Sequence, residues 1–147
     1  MSPAALPPAG VLRRLLAASY DALLLIALYM VATAPLLLLT SGEAIPAGHP
    51  LYLLYLLYLL LLGQLFFGYF WTRSGQTLGM QTWRIRLVSA DGGPCRRRHA
   101  IKRYFGALLS WALLGTGFLL QWIDRDGLSL HDRLSGTRIV RIPPPRR

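Results

Sequence analysis

Asp21, Arg14 and Arg103 are ionisable residues in or beside apolar stretches, where a charge needs a reason to be kept, and Asp132 follows His131 in a polar stretch further along. Asp21 is the only charged residue inside the first long apolar run, Leu15–Leu39. A carboxylate at the centre of a membrane-spanning helix costs roughly 2.5–3.5 kcal/mol on insertion scales, and less near the helix end. It is either solvated just below the headgroups, or a paired ion that holds helices together or handles protons or cations. Arg14 lies two helical turns before it on the same face, about 10 Å away along the axis, too far for direct contact unless both side chains stretch. Arg103 stands at the start of another apolar run and can approach laterally, so it is the expected partner of Asp21. Arg14 is expected to snorkel towards the headgroups. Asp132 is expected to cap backbone or bridge arginines near the membrane surface. His131 beside Asp132 has the types for acid–base work, but no nucleophile with a second orienting group accompanies them. No catalytic residue is assigned, and the chain is not expected to be an enzyme. The histidines form no cluster and Cys95 is the only cysteine, so no metal site, cofactor or intramolecular disulfide is expected.

The elements that must position these residues follow from composition. The chain has 147 residues, 54% of them hydrophobic, a formal net charge of +10 and a mean hydropathy of +0.42. A soluble domain this basic would point to nucleic acid. Here the apolar residues are bunched and the arginines lie between the bunches, the layout of an integral membrane protein, and nucleic acid is not an expected partner. Two full spans are expected, at about 15–39, with Pro35 near its far end, and at 51–71, with interfacial and packing tyrosines Tyr52, Tyr55 and Tyr58. The loop Thr40–Pro50 holds no Lys or Arg, whereas Thr72–Arg103 holds Arg73, Arg84, Arg86, Arg96, Arg97, Arg98, Lys102 and Arg103. The positive-inside rule then puts that loop and the N-terminus in the cytoplasm, against anionic lipid.

The third apolar segment, 104–123, has the length of one span. A single crossing would export Arg125, Arg133, Arg138, Arg141, Arg146 and Arg147, against the charge rule. Gly115-Thr116-Gly117 interrupts it, so a re-entrant or broken helix hairpin is expected, with the tail cytoplasmic. Arg84–Val88 and Thr137–Ile142 both read as strands with one buried face, and each needs a neighbour for its backbone. They are expected to pair as a small cytoplasmic β element. Residues 1–12 read as a flexible tail, not a signal peptide, and 143–147 as a disordered basic tail. Gly75-Gln76-Thr77-Leu78-Gly79-Met80 can form a turn or helix cap and can also grip an anion, the turn being the favoured reading. It is not a phosphate-binding loop, because no Gly-Lys-Ser/Thr follows.

Taken in order, several stretches resemble the RDD family of small bacterial membrane proteins, named for one arginine and two aspartates. They are Arg13-Arg14-Leu15-Leu16-Ala17-Ala18-Ser19-Tyr20-Asp21, then Gly75-Gln76-Thr77-Leu78-Gly79, Arg84-Ile85-Arg86-Leu87-Val88, Asp91-Gly92, Ala100 and Arg103, and last Leu130-His131-Asp132-Arg133-Leu134-Ser135-Gly136-Thr137. The resemblance covers about residues 13–142. It implies that Arg14 is the family arginine, Asp21 the first aspartate and Asp132 the second. The chain departs from the family at Met80, where a lysine is frequent. The family's molecular function is largely undefined, and sodium–proton exchange has been suggested for some members.

The expectation is therefore an all-α membrane protein with two full transmembrane helices, a third apolar segment and a small cytoplasmic β element, in a bacterial cytoplasmic membrane. Two functions fit: transport of a cation or small ligand, with Asp21 titrating inside a bundle, or a non-enzymatic accessory or scaffold protein that binds anionic lipid or a partner protein. Asp21, Gln64, Thr116 and Gln121 are few intramembrane polar groups for a monomeric pathway, so a homo-oligomer or a membrane protein partner is in keeping with the first function.

Overall fold

The computed structural model describes residues 6–113, 115–116, 124 and 127–143. Helix α1, Val11–Leu39, has 29 residues, and α2, Tyr52–Arg73, has 22. Leu- and Ala-rich sequence carries a strong helical preference, and Pro35 falls within the last turns of α1, where little ladder remains to be broken. The two helices run antiparallel. Thr33 Oγ1 and Tyr55 Oη lie 3.1 Å apart, and Tyr58 Oη donates to the Ala32 carbonyl at 3.3 Å. Both helices are long and apolar enough to cross a bilayer. Their outward faces stay uncovered: Met30 is 70% exposed and Leu53 66%. A core helix of a soluble protein buries such residues; these require lipid or a partner.

The other described helices and strands gather at the end where α1 begins and α2 finishes. A five-residue helix α3, Leu78–Thr82, is capped by Thr77, whose Oγ1 accepts from the Met80 amide at 3.2 Å. Strand β1, Ile85–Ser89, follows, then α4, Arg97–Ala112, α5, Leu130–Ser135, and β2, Thr137–Arg141. Gly136, at φ 63°, ends α5 in the left-handed conformation and turns the chain directly into β2. The strands pair antiparallel, with Ile85 opposite Arg141, Leu87 opposite Ile139 and Ser89 opposite Thr137. The two patterned segments therefore meet as their sequences required. Ile85, Leu87 and Ile139 join Ala17, Trp71, Met80 and Tyr104 in the buried interior of this end.

Two sequence expectations are altered. The inner part of the flexible tail expected at 1–12 is held to the sheet. Ala9 N donates to Ile139 O and Arg141 N to Pro7 O, both at 2.9 Å, and Ala9 is buried. Two prolines, Pro7 and Pro8, concealed this edge pairing, since prolines lack donors yet still accept. The third apolar segment is entered by α4, which starts at Arg97 rather than Tyr104 and ends at Ala112. The hairpin expected over 104–123 depends on residues 114 and 117–123, which lie outside the described residues, as do residues 144–147 of the expected disordered tail.

Candidate functional site

Asp132 lies in the first turn of α5, where its carboxylate caps the helix by accepting from Ser129 N at 3.1 Å. The same carboxylate takes two arginines. Arg14, from the first turn of α1, donates through Nη1 to Oδ2, and Arg103, from the middle of α4, donates through Nη1 to Oδ1. Asp132 is 1% exposed, and both arginines are buried. Both arginines make further hydrogen bonds. Arg14 Nε reaches Ala9 O at 3.0 Å and its Nη2 reaches Ile139 O at 3.3 Å, while Arg103 Nη1 also reaches Thr137 Oγ1 at 2.9 Å. Arg103 further sets its guanidinium over the Trp71 ring, 5.4 Å from the centroid. One carboxylate thus clasps α1, α4, α5, β2 and the N-terminal segment together.

Burial alone would raise the Asp132 pKa, but Arg103 and Arg14 outweigh it and hold the carboxyl well below the usual carboxylate range. His131, packed beside them with Nε2 3.0 Å from Ser129 Oγ, is pushed down to about 3 by burial and by the neighbouring Arg103 charge. It is neutral at pH 7. An imidazole so depressed is a weak base, and the carboxylate next to it in sequence is taken up by two arginines.

Asp21 faces the same interior but is held differently. Its Oδ2 accepts from Thr77 Oγ1 and its Oδ1 accepts from Gly79 N at 2.9 Å. The carboxylate therefore fastens the start of α3 onto α1. Gly79 is required there, since a Cβ would collide with the Ala17 carbonyl and the Asp21 carboxylate. The expected Asp21–Arg103 pair is not formed: Arg103 goes to Asp132, and Asp21 takes neutral donors. Arg14 does not snorkel to the headgroups either, because it is drawn inward to the same aspartate. Depth along the sequence suggested Asp21 as the arginine's partner, but the fold of α5 brings the second aspartate closer. The sequence favoured a cap or turn at Thr77 and Gly79 over an anion grip; the structure shows a cap that also grips an anion, the Asp21 carboxylate. The one signal available was a capping threonine two residues from a glycine, able to present a hydroxyl and an amide on the same side to an anion.

Between these two fastenings lies a cavity of about 270 Å³. Arg14, Asp21, Arg103 and His131 border it, but most of its wall is Ala17, Ala18, Ala22, Leu25, Phe67, Trp71, Met80, Leu108 and Trp111. It runs towards the middle of the helix pair, where Tyr29 and Tyr104 complete it. Tyr104 Oη donates to Leu60 O at 3.0 Å. Gly63 of α2 lets both phenols approach; a Cβ there would lie 2.7 Å from Tyr29 Oη and closer still to Tyr104 Oη. Among the described residues, no group of three or more His, Cys, Asp or Glu side chains is placed to hold a metal ion.

The model of the RDD family matches residues 8–136, and no curated protein and no solved structure matches the chain. With most of its length matched, the chain belongs to the RDD family. The family's arginine and second aspartate, by the assignment above, are Arg14 and Asp132, which meet in the clasp; its first aspartate, Asp21, is the α3 fastening.

Proposed function

We propose that this RDD-family membrane protein is a multi-pass, non-enzymatic binder of a small, mainly apolar ligand drawn from the bilayer. The cavity carries this reading. Its size suits a ring system or a short chain, its wall is largely hydrocarbon and aromatic, and a few polar groups converge at one end. The charged residues are occupied with one another or with backbone, so their task is to hold α1, α3, α4 and α5 around the space. Pairing of the N-terminal segment with β2, and of β2 with β1, supports a common compartment for all three. The positive-inside rule makes that compartment the cytoplasm of a bacterial cell.

Trp71 and Trp111 line the cavity, so binding can be read by fluorescence. In nanodiscs, a brominated alkylphenol should quench tryptophan emission saturably, and Ala18→Phe, which fills the space, should abolish the saturable part. Equal quenching in both proteins means partitioning into lipid and refutes the reading.

A second reading, cation or proton transport, is favoured by one observation: Asp21 borders the cavity with only neutral donors on its carboxylate. Sodium-driven proton flux in proteoliposomes, lost in Asp21→Asn while the melting temperature is kept, would establish it. No flux above empty vesicles removes it.

A further inference from the structure

We propose that the cytoplasmic end of α2 carries a seat for the headgroup of one anionic phospholipid, separate from the cavity described above. A second hollow of about 250 Å³ lies between the last turn of α2, β1 and the turn before α4. Arg73 and Arg86 stand at its wall, both exposed, and Ser74, Gly75 and Gly93 line it as well. Arg73 is the last residue of α2, and its guanidinium lies 5.8 Å from the centroid of the Tyr69 ring one turn earlier. Arg86 is fixed by its Nη2 donating to Gln76 Oε1 at 3.3 Å. Neither arginine forms an ion pair among the described residues. The nearest carboxylate in sequence, Asp91, is turned onto the Gly93 amide at 3.0 Å. The hollow therefore presents two uncompensated guanidinium groups at a water–lipid boundary.

The occupant is a lipid rather than a free anion because of what lies below the hollow. Leu65, Tyr69 and Arg73 recur at i+4 spacing and so follow one another along the helix surface. Leu65 is 58% exposed and Tyr69 57%. An acyl chain along Leu65 and Tyr69 brings its phosphate to the level of Arg73, with Arg86 reaching it from β1. Arg97 and Arg98 are exposed on the adjoining start of α4 and add attraction for an anionic surface, but they do not border the hollow. The inference rests on α2 crossing the bilayer, as proposed above, and not on any ligand in the first cavity.

The test uses the full chain in neutral detergent, titrated with dioleoyl phosphatidylglycerol and read by native mass spectrometry. The unaltered protein should hold one lipid in preference to others. Arg73→Gln with Arg86→Gln should weaken that first site about tenfold, as expected for loss of charge-assisted contacts. Arg97→Gln with Arg98→Gln should leave it within about twofold, far less than one such contact is worth. Melting curves without added lipid establish that both variants are folded. An equal loss in the two double variants means a diffuse basic surface and overturns the seat. Equally tight binding of dioleoyl phosphatidylcholine overturns the anionic preference. Displacement of the lipid by millimolar inorganic phosphate overturns the assignment to a lipid. None of these outcomes depends on quenching in the first cavity, so the two proposals fail separately.

Discussion

Replacing Asp132 by alanine leaves Arg14 and Arg103 buried and facing each other. Two charge-assisted hydrogen bonds are lost, each contributing roughly 1.5–3 kcal/mol, together with the cap on Ser129 N, about 1 kcal/mol. Breaking one buried pair by removing a partner generally costs about 3–5 kcal/mol. We expect a loss at the upper end of that range, because two charges are stranded. For a domain of this size it corresponds to a fall in melting temperature of roughly 10–20 °C. The sharper measurement is a cycle of Asp132→Ala, Arg103→Met and their combination, followed by thermal melts in one detergent. Arg103→Met alone leaves Asp132 with Arg14 and should cost less than Asp132→Ala. The combination should be less harmful than the sum by about 1–3 kcal/mol. The triple variant Arg14→Met, Arg103→Met, Asp132→Leu, which removes every charge of the clasp, should recover most of the loss. Strict additivity, or a melting temperature unchanged in Asp132→Ala, refutes the clasp. Acid offers no shortcut. The folded pKa of Asp132 is depressed, so its contribution is present above the unfolded value near 3.9 and is lost only as pH falls through the much lower folded value.

His131 titrates in a more convenient window. Its folded pKa of about 3 lies below the unfolded value near 6.5, so the unfolded chain binds the proton first and stability falls as pH drops between them. The slope should approach 1.4 kcal/mol per pH unit, and His131→Gln should flatten the melting-temperature profile from pH 6 to 4; an unchanged profile places the sensitivity elsewhere. Gly79→Ala should be worse than Gly63→Ala, because the first meets the backbone carbonyl of Ala17 and the second meets two phenol oxygens that can tilt away. Overpacking of this kind costs about 1–3 kcal/mol, and Tyr104→Phe should partly rescue Gly63→Ala but not Gly79→Ala. In a Cys95→Ser background, Leu87→Cys with Ile139→Cys should cross-link, whereas Leu87→Cys with Arg141→Cys should not, if the strand register holds.

The fold was legible wherever it depends on local pattern. Leu15–Leu39 and 51–71 announce α1 and α2 by length and composition, and the polar–apolar alternation of Arg84–Val88 and Thr137–Ile142 announces the sheet. The residues that matter most were legible as well: Arg14, Asp21 and Arg103 stood out as charges in or beside apolar runs, and Asp132 by its place beside His131 and by the family resemblance. For Asp132 the pairing was legible too, since it was expected to cap backbone or bridge arginines and does both; the partner of Asp21 was not. Nothing local to Asp21 distinguishes an arginine partner from a hydroxyl and an amide supplied by residues 77 and 79. The choice is made by α5, six residues long, whose docking delivers Asp132 between two arginines from distant parts of the chain. Pro7 and Pro8 misled in the opposite direction, since prolines usually mark loose ends and here supply acceptors to a strand edge.

The charges of the clasp also bear on which ligand the cavity admits. Arg14, Arg103 and Asp132 together carry one surplus positive charge in a space shielded from water. Asp21 lies across the same cavity and supplies one negative charge when ionised. With Asp21 ionised the wall is balanced, and a neutral ligand enters without a net electrostatic penalty. With Asp21 protonated, the surplus of the clasp is exposed to the cavity and an anionic headgroup is favoured. Binding of a neutral alkylphenol should therefore be little changed by Asp21→Asn beyond the loss of packing at α3. A carboxylated probe of the same size, such as an alkylbenzoate, should bind more tightly to Asp21→Asn than to the unaltered protein. Fluorescence titration of both probes against both proteins measures the difference. If the carboxylated probe shows no preference for the variant, Asp21 does not balance the arginines, and the charge argument for a neutral ligand falls.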